Sequence, residues 1–180
     1  DPAIVWFDAH GDFNTDETTP SGYLGGMPLA LAVGRGDQTA PRALGLRPVD
    51  ESRVVLVDAR DLDPAEREAL ERSRVQHVPV SALDPEARSG GADALALPAG
   101  PIYLHVDLDV VDPGELPGLR FPSPGGVAAA ELVRAVAAVI ATGRVAAMGL
   151  ACTWWSDRVN PAAAGALLRQ ILPRRAESAE

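Results

Sequence analysis

Cysteine is nearly absent from these 180 residues: Cys152 stands alone, so the chain can form no internal disulfide. That fits a reducing compartment, and cytoplasmic localisation is the expectation. No Lys/Arg-rich run occurs, and 16 basic against 25 acidic residues leave a net charge of −9. An acidic chain of this kind, with pI near 4.8, is a poor partner for nucleic acid or an anionic membrane surface. No apolar stretch reaches membrane-span length, no signal-peptide pattern is visible and no internal repeat is apparent. The chain also lacks an initiating Met. It opens at Asp1-Pro2 and runs at once into the apolar segment Ala3–Phe7. Such a strand belongs inside a sheet, and the expectation is a chain lacking an N-terminal region.

What is present suits one soluble domain. Hydrophobic residues make up 47% and charged residues 23%, enough for a sizeable core. Ala3–Phe7, Arg53–Val57, Val75–Val78, Ile102–Val106 and Val145–Leu150 read as buried strands. Pro64–Ser73, Ala128–Ala141 and Pro161–Leu172 read as helices, with Asp63 and Asn160 as N-caps and Gly143 as a stop. A shorter helix is expected to start near Met27-Pro28 and end by Gly34. Strands alternating with helices imply parallel βαβ units and an α/β layered sheet, whose ligand sites lie beyond the carboxyl ends of the strands. Two Gly/Pro-rich loops, 12–26 and 112–126, each follow a strand and should overhang that edge. Residues 89–100 read as a surface loop and 174–180 as a frayed tail.

The chemistry concentrates in two short patterns. Asp8, His10 and Asp12 alternate through D-A-H-G-D, so in extended backbone they face one side. Asp107 and Asp109 repeat the device in H-V-D-L-D. A single D-x-D at a strand end is often only loop capping, and a lone histidine is often a satisfied core residue. Both patterns together, each closing an apolar strand, point to metal binding. Four carboxylates and an imidazole without a thiolate favour Mn²⁺, with Zn²⁺, Fe²⁺ or Co²⁺ as alternatives. So many carboxylates suggest two ions bridged by shared ligands, a pair that lowers the pKa of the water between them.

V-W-F-D-A-H-G-D-F-N-T (5–15) resembles the ureohydrolase D-A-H-x-D motif. H-V-D-L-D-V-V-D-P (105–113) is similar to that family's S-x-D-x-D-x-x-D-P motif, with His105 in the usual Ser position. The Pro/Gly-rich continuation through 127 looks like the family too, and the resemblance covers nearly the whole chain. It implies a three-layer α/β/α sandwich around a mainly parallel sheet. The domain would be a single arginase-like one over 1–180 that lacks its N-terminal portion.

The resemblance also implies a two-manganese hydrolase of guanidino or amidino carbon–nitrogen bonds. Asp8 and Asp107 would bridge the ions, His10 and Asp109 would complete one shell, and Asp12 would bind the other ion. Asp12 and Asp109 are the catalytic assignments. The family takes one further histidine ligand from a motif N-terminal to these, so the chain as it stands is expected to hold one ion poorly. Asn14 and Ser21 match positions that contact a substrate α-carboxylate, and Asp63 and Glu66 match those that bind its α-amino group. The local alternatives are helix capping for Asp63 and a solvated first-turn carboxylate for Glu66. Together these matches favour an amino-acid-like ligand over agmatine.

Two positions depart from the pattern. The loop histidine that serves as proton shuttle falls on Gly25. The late glutamate that grips the guanidinium falls near Trp154, with Asp157 the nearest carboxylate. Trp154 offers either a cation–π face or core filling. These departures keep open a non-catalytic relative that binds metal and an amino-acid-like ligand, and an enzyme shifted to a substrate such as a formimino-amino acid. Among lesser residues, His77 is expected to cap or pack, His105 to support the ligands or the core, Asp112 to orient its loop, and Cys152 to be buried and inert. The expected partner is a small guanidino or amidino compound, with no nucleic acid and no membrane. A homo-oligomer is implied by the resemblance alone.

Overall fold

The computed structural model describes residues 1–87, 95–158 and 160–172. Within them five strands form one sheet: β1 Ala3–His10, β2 Val54–Asp61, β3 Gln76–Val78, β4 Ile102–Asp107 and β5 Val145–Ala151. Their order is β3-β2-β1-β4-β5 and every pairing is parallel. The chain moves outward from β1 through β2 and β3, then returns to lay β4 against the other side of β1. The strand order therefore reverses at the β1–β4 boundary, the switch point where such sheets open a crevice.

Both faces of the sheet are covered, as near-continuous apolar strands require. Ala3, Val5 and Phe7 of β1 join one core with Val55, Val57 and Leu104. Ile4 and Trp6, pointing the other way, join a second core with Val54 and Leu56. Helices α4 (Ala129–Ala141) and α5 (Pro161–Ile171) close the first face through Leu132, Val136, Val139 and Leu167. Helices α1 (Pro28–Ala32) and α3 (Pro64–Glu71) close the second through Leu29, Ala30 and Leu70. This is the three-layer α/β fold expected from the sequence.

The caps behave as their chemistry dictates. α3 begins with Pro64 at its first position and a capping box between Asp63 and Glu66. The Asn160 side chain accepts from the Ala163 N–H at 3.2 Å to start α5. Gly143, at φ 68°, ends α4. Most expected strands and helices form, shifted by a residue or a few at their ends. One five-residue helix, α2 (Thr39–Ala43), was not anticipated; it buries no residue and so leaves no apolar periodicity to read. Part of the expected 89–100 loop, residues 89–94, and the 174–180 tail lie outside the described residues. The described remainder of that loop is no plain surface segment, because Leu95 and Leu97 pack on the first core.

Candidate metal centre

The register of β1 and β4 decides where the acidic residues go. Phe7 stands opposite Val106, so the next residues, Asp8 and Asp107, reach the sheet edge side by side. From there the two tips are stitched together. The Asp8 carboxylate accepts from the His10 N–H at 2.8 Å and from the Trp6 indole N–H at 3.3 Å. Asp107 accepts from the Asp109 N–H at 3.0 Å, which caps a tight turn over Leu108–Val110. Asp109 in turn accepts from the Ala9 N–H of the neighbouring strand, also at 3.0 Å. His10 Nδ1 ends 3.1 Å from Asp109 Oδ2 and 3.3 Å from Asp8 Oδ1.

Asp12 arrives by a different device. It takes a left-handed backbone at φ 50°, which turns the chain back over the sheet edge. Gly11 before it lies against the Glu66 carboxylate and the Leu62 side chain: a Cβ there would sit 2.6 Å from Glu66 Oε1. The result is two overlapping donor groups, Asp8–His10–Asp109 and Asp8–Asp12–His105, each with ligand atoms within 4.8 Å of one another. Asp8 belongs to both.

Charge explains what such an arrangement requires. Burial, with added repulsion from Asp109, raises the Asp8 carboxyl, and burial with repulsion from Asp8 drives Asp12 well above the carboxylate range. Burial, then Asp109 and Asp8, push Asp107 up to about 7. Burial opposes the charged form of His10, yet its contacts with Asp109 and Asp8 outweigh this and hold it at about 11. One imidazolium cannot balance four clustered carboxylates, and added positive charge is what lets all of them ionise. The donor set of hard oxygens with imidazole nitrogen fits divalent cations.

The nine residues assigned metal-binding or ligand-binding roles line one cavity of about 700 Å³: Asp8, His10, Asp12, Asp107 and Asp109 at the floor, and Asn14, Ser21, Asp63 and Glu66 toward the rim. Asn14 donates to Asp63 at 2.9 Å and accepts from Thr18 Oγ at 3.0 Å. Glu66 is no solvated carboxylate. It is 3% exposed and accepts from the Phe13 N–H at 2.8 Å and the Asp63 N–H at 3.2 Å. Ser21 is exposed on the loop, its Oγ accepting from the Tyr23 N–H at 3.2 Å. The two overhanging loops meet through the Tyr23 and Phe121 rings, 5.3 Å apart. The space beside Gly25 belongs to Tyr23, whose ring would lie 2.3 Å from a Cβ at that position.

Trp154 does not line the cavity. It packs against the first core, and its buried indole N–H has no partner. Exposed Asp157 is absent from the wall as well. The end of β5 instead contributes Leu150, Ala151, Cys152 and Thr153. Cys152 is thus half-buried at the wall and not sealed in the core, though burial raises its thiol well above the ordinary range and keeps it protonated. Asp112 holds its loop through the Gly114 N–H at 2.8 Å, as expected. His77 binds the Asp58 carbonyl at 2.6 Å.

Sequence reasoning passed over two lining or supporting groups. Asp61, at the end of β2, also faces the cavity. Arg60 pairs with Asp58 and donates to the carbonyls of Asp109 at 3.0 Å, Ser123 at 2.8 Å and Pro124 at 3.1 Å. It thereby ties the loop after β4 to β2. The only local signal was an arginine inside an otherwise acidic strand end.

Comparison with known proteins matches residues 1–153 to the model of the arginase family. The N(omega)-hydroxy-L-arginine amidinohydrolase of Streptomyces lavendulae is 38% identical over 151 residues, 84% of this chain and 51% of that protein. The arginase of Bacillus subtilis (strain 168) is 36% identical over 129 residues, 69% of this chain and 43% of that one. The crystal structure of arginase from Bacillus subtilis superposes with a TM-score of 0.76 at 29% identity, covering 97% of this chain and 64% of that one. The chain spans about half the length of the curated relatives it matches.

Proposed function

The chain belongs to the arginase family, and from that premise we propose that it serves a binuclear metal hydrolase cleaving a guanidino or amidino carbon–nitrogen bond of an amino-acid-like compound. The observation that carries this reading is the meeting of the β1 and β4 tips, with Asp8 common to two donor groups. Two cations would be held by Asp8 and Asp107 in common, one of them also by His10 and Asp109 and the other by Asp12. Mn²⁺ suits so oxygen-rich a set. Bound there, the cations supply an acidified water and a field that stabilises negative charge.

The chain's own residues supply position. Asp12 and Asp109 would be the catalytic carboxylates, both lining the cavity. Asn14 and Ser21 receive a carboxylate of the ligand, and Asp63 and Glu66 its ammonium. Each Glu66 oxygen accepts one backbone N–H and keeps a second lone pair for the ligand. The Streptomyces lavendulae relative, named for N(omega)-hydroxy-L-arginine, supports a substrate of this class. Among the chain's described residues no helix is long and apolar enough to cross a membrane. A cytoplasmic homo-oligomer acting on a small molecule, without nucleic acid, completes the reading.

The test is a panel of guanidino, amidino and formimino compounds offered to the Mn²⁺-loaded protein. Turnover of one member, abolished by chelator and restored by Mn²⁺, is expected. Failure on the whole panel overturns hydrolysis.

A second reading has its own support. The cavity wall after β5 carries no carboxylate from Leu150 to Thr153, so nothing there balances a guanidinium. A relative shifted to a less basic substrate, or one that binds an amino acid without turnover, fits that wall. Calorimetry showing ornithine binding beside a silent panel selects the non-catalytic form.

A further inference from the structure

His105 was given no ligand role above, yet its ring belongs to the donor group with Asp8 and Asp12. It stands two residues before Asp107 on β4 and so faces the same side of the strand. The β1–β4 register sets it directly opposite Trp6. The two rings stack with centroids 3.6 Å apart and planes 10° from parallel, which fixes the imidazole plane. On the other side β5 places Gly149 opposite it. A Cβ there would lie 2.4 Å from the Tyr103 hydroxyl, so the residue's smallness makes room for Tyr103, and it would be in ordinary contact with His105 Nδ1 at 3.5 Å.

A histidine kept only for packing normally satisfies its ring nitrogens when buried. Here Nε2 is buried and has no hydrogen-bond partner. The ring also shares a 4.8 Å cluster with carboxylate oxygens of Asp8 and Asp12. We infer that His105 is a metal ligand, giving the cation held by Asp8 and Asp12 its nitrogen donor. The serine usual at this position in the family offers oxygen where this chain offers nitrogen. The inference rests on the two-cation reading and extends it to a residue that reading leaves out.

The chain has three histidines, which makes a direct test practical. The chain labelled with ¹⁵N in its imidazoles would be titrated with Zn²⁺, a diamagnetic probe, and followed by NMR. Ligation moves the ¹⁵N signals of His10 and His105 together, while His77, at the far edge strand, stays still. Movement of His10 alone overturns the assignment and leaves the two-cation reading standing. Movement of neither overturns both.

Equilibrium dialysis with Co²⁺ supplies a second readout. Two ions are expected for the parent chain. His105→Ser, checked for folding by circular dichroism, should weaken one of them by at least about tenfold. His10→Ala should weaken the other. Parent-like binding of both ions by a folded His105→Ser chain refutes the proposal.

Discussion

At the floor of the cavity Asp8, Asp12 and Asp109 are 2%, 9% and 6% exposed, while on the overhanging loop at the rim Tyr23 is 49% exposed. The floor is held by bonds between strands, such as Ala9 N–H to Asp109 across the β1–β4 boundary. The rim is held by bonds between near neighbours, such as Thr18 to Asn14 and Tyr23 to Ser21. The floor is therefore cross-tied and electrostatically burdened, the Asn14–Asp63–Glu66 side of the rim is cross-tied as well, and only the exposed loop around Ser21 and Tyr23 is lightly built. Substitutions at the floor should separate stability from metal binding. Substitutions at the rim should change ligand affinity and little else.

The sharpest break in that comparison is Asp107→Asn. It keeps an oxygen to accept from the Asp109 N–H but removes a carboxylate that burial and its neighbours push up to about 7. Metal affinity should fall more than about 100-fold, beyond the loss typical of outer partners, and hydrolysis with it. Without metal the same variant should unfold at higher denaturant, by about 1 kcal/mol, because a buried like charge is gone. Parallel loss of both properties would erase the distinction between floor and rim.

Next in size is Arg60→Ala. The guanidinium reaches carbonyls on the loop after β4 and pairs with the largely buried Asp58. Removing it strands Asp58 and frees the loop, at a cost of about 3 kcal/mol in a urea melt. Floor geometry should loosen with it, because Asp109 is on that loop's first turn.

A smaller effect follows from protons. With metal removed, folded His10 titrates near 11 against 6.5 for an ordinary histidine, held up by Asp109 and Asp8 despite burial. Between those values the folded chain keeps a proton that the unfolded chain releases, so stability falls as pH rises. Asp107, at about 7 against 3.8, acts in the same direction from below. His105, pushed by burial down to about 4, opposes it only below pH 6.5. Urea midpoints with chelator should drop between pH 6.5 and 9, and saturating Mn²⁺ should remove the drop. An unchanged midpoint in chelator would show that His10 is not proton-bound at the floor.

The sequence exposed the floor far more fully than the rim, for a physical reason. Alternation in D-A-H-G-D and H-V-D-L-D is a property of extended backbone, and apolar runs before them announced buried parallel strands. Reading the rim needed tertiary facts. The end of β5 showed only a tryptophan near a position expected to be acidic, with cation–π and core-filling roles both open, and only the tertiary structure selects packing on the core. Arg60 is equally mute in one dimension, since the carbonyls it reaches are 49 to 64 residues away in sequence. Glu66 mixed both kinds: its helix-capping role was visible, but its grip on the Phe13 N–H across the site was not.

Ser21→Ala gives the smallest effect and the most discriminating one for the rim. Its hydroxyl is exposed and spends one lone pair on the Tyr23 N–H, so losing it should leave urea midpoints and metal content unchanged. If Ser21 meets the ligand carboxylate, one hydrogen bond is lost, about 1 kcal/mol, or roughly fivefold in KM with kcat preserved. Asn14→Ala should cost more, because Asn14 also steadies Asp63. A fall in kcat with constant KM for Ser21→Ala would mean that the rim takes part in the transition state, and the division between a reacting floor and a binding rim would have to be redrawn.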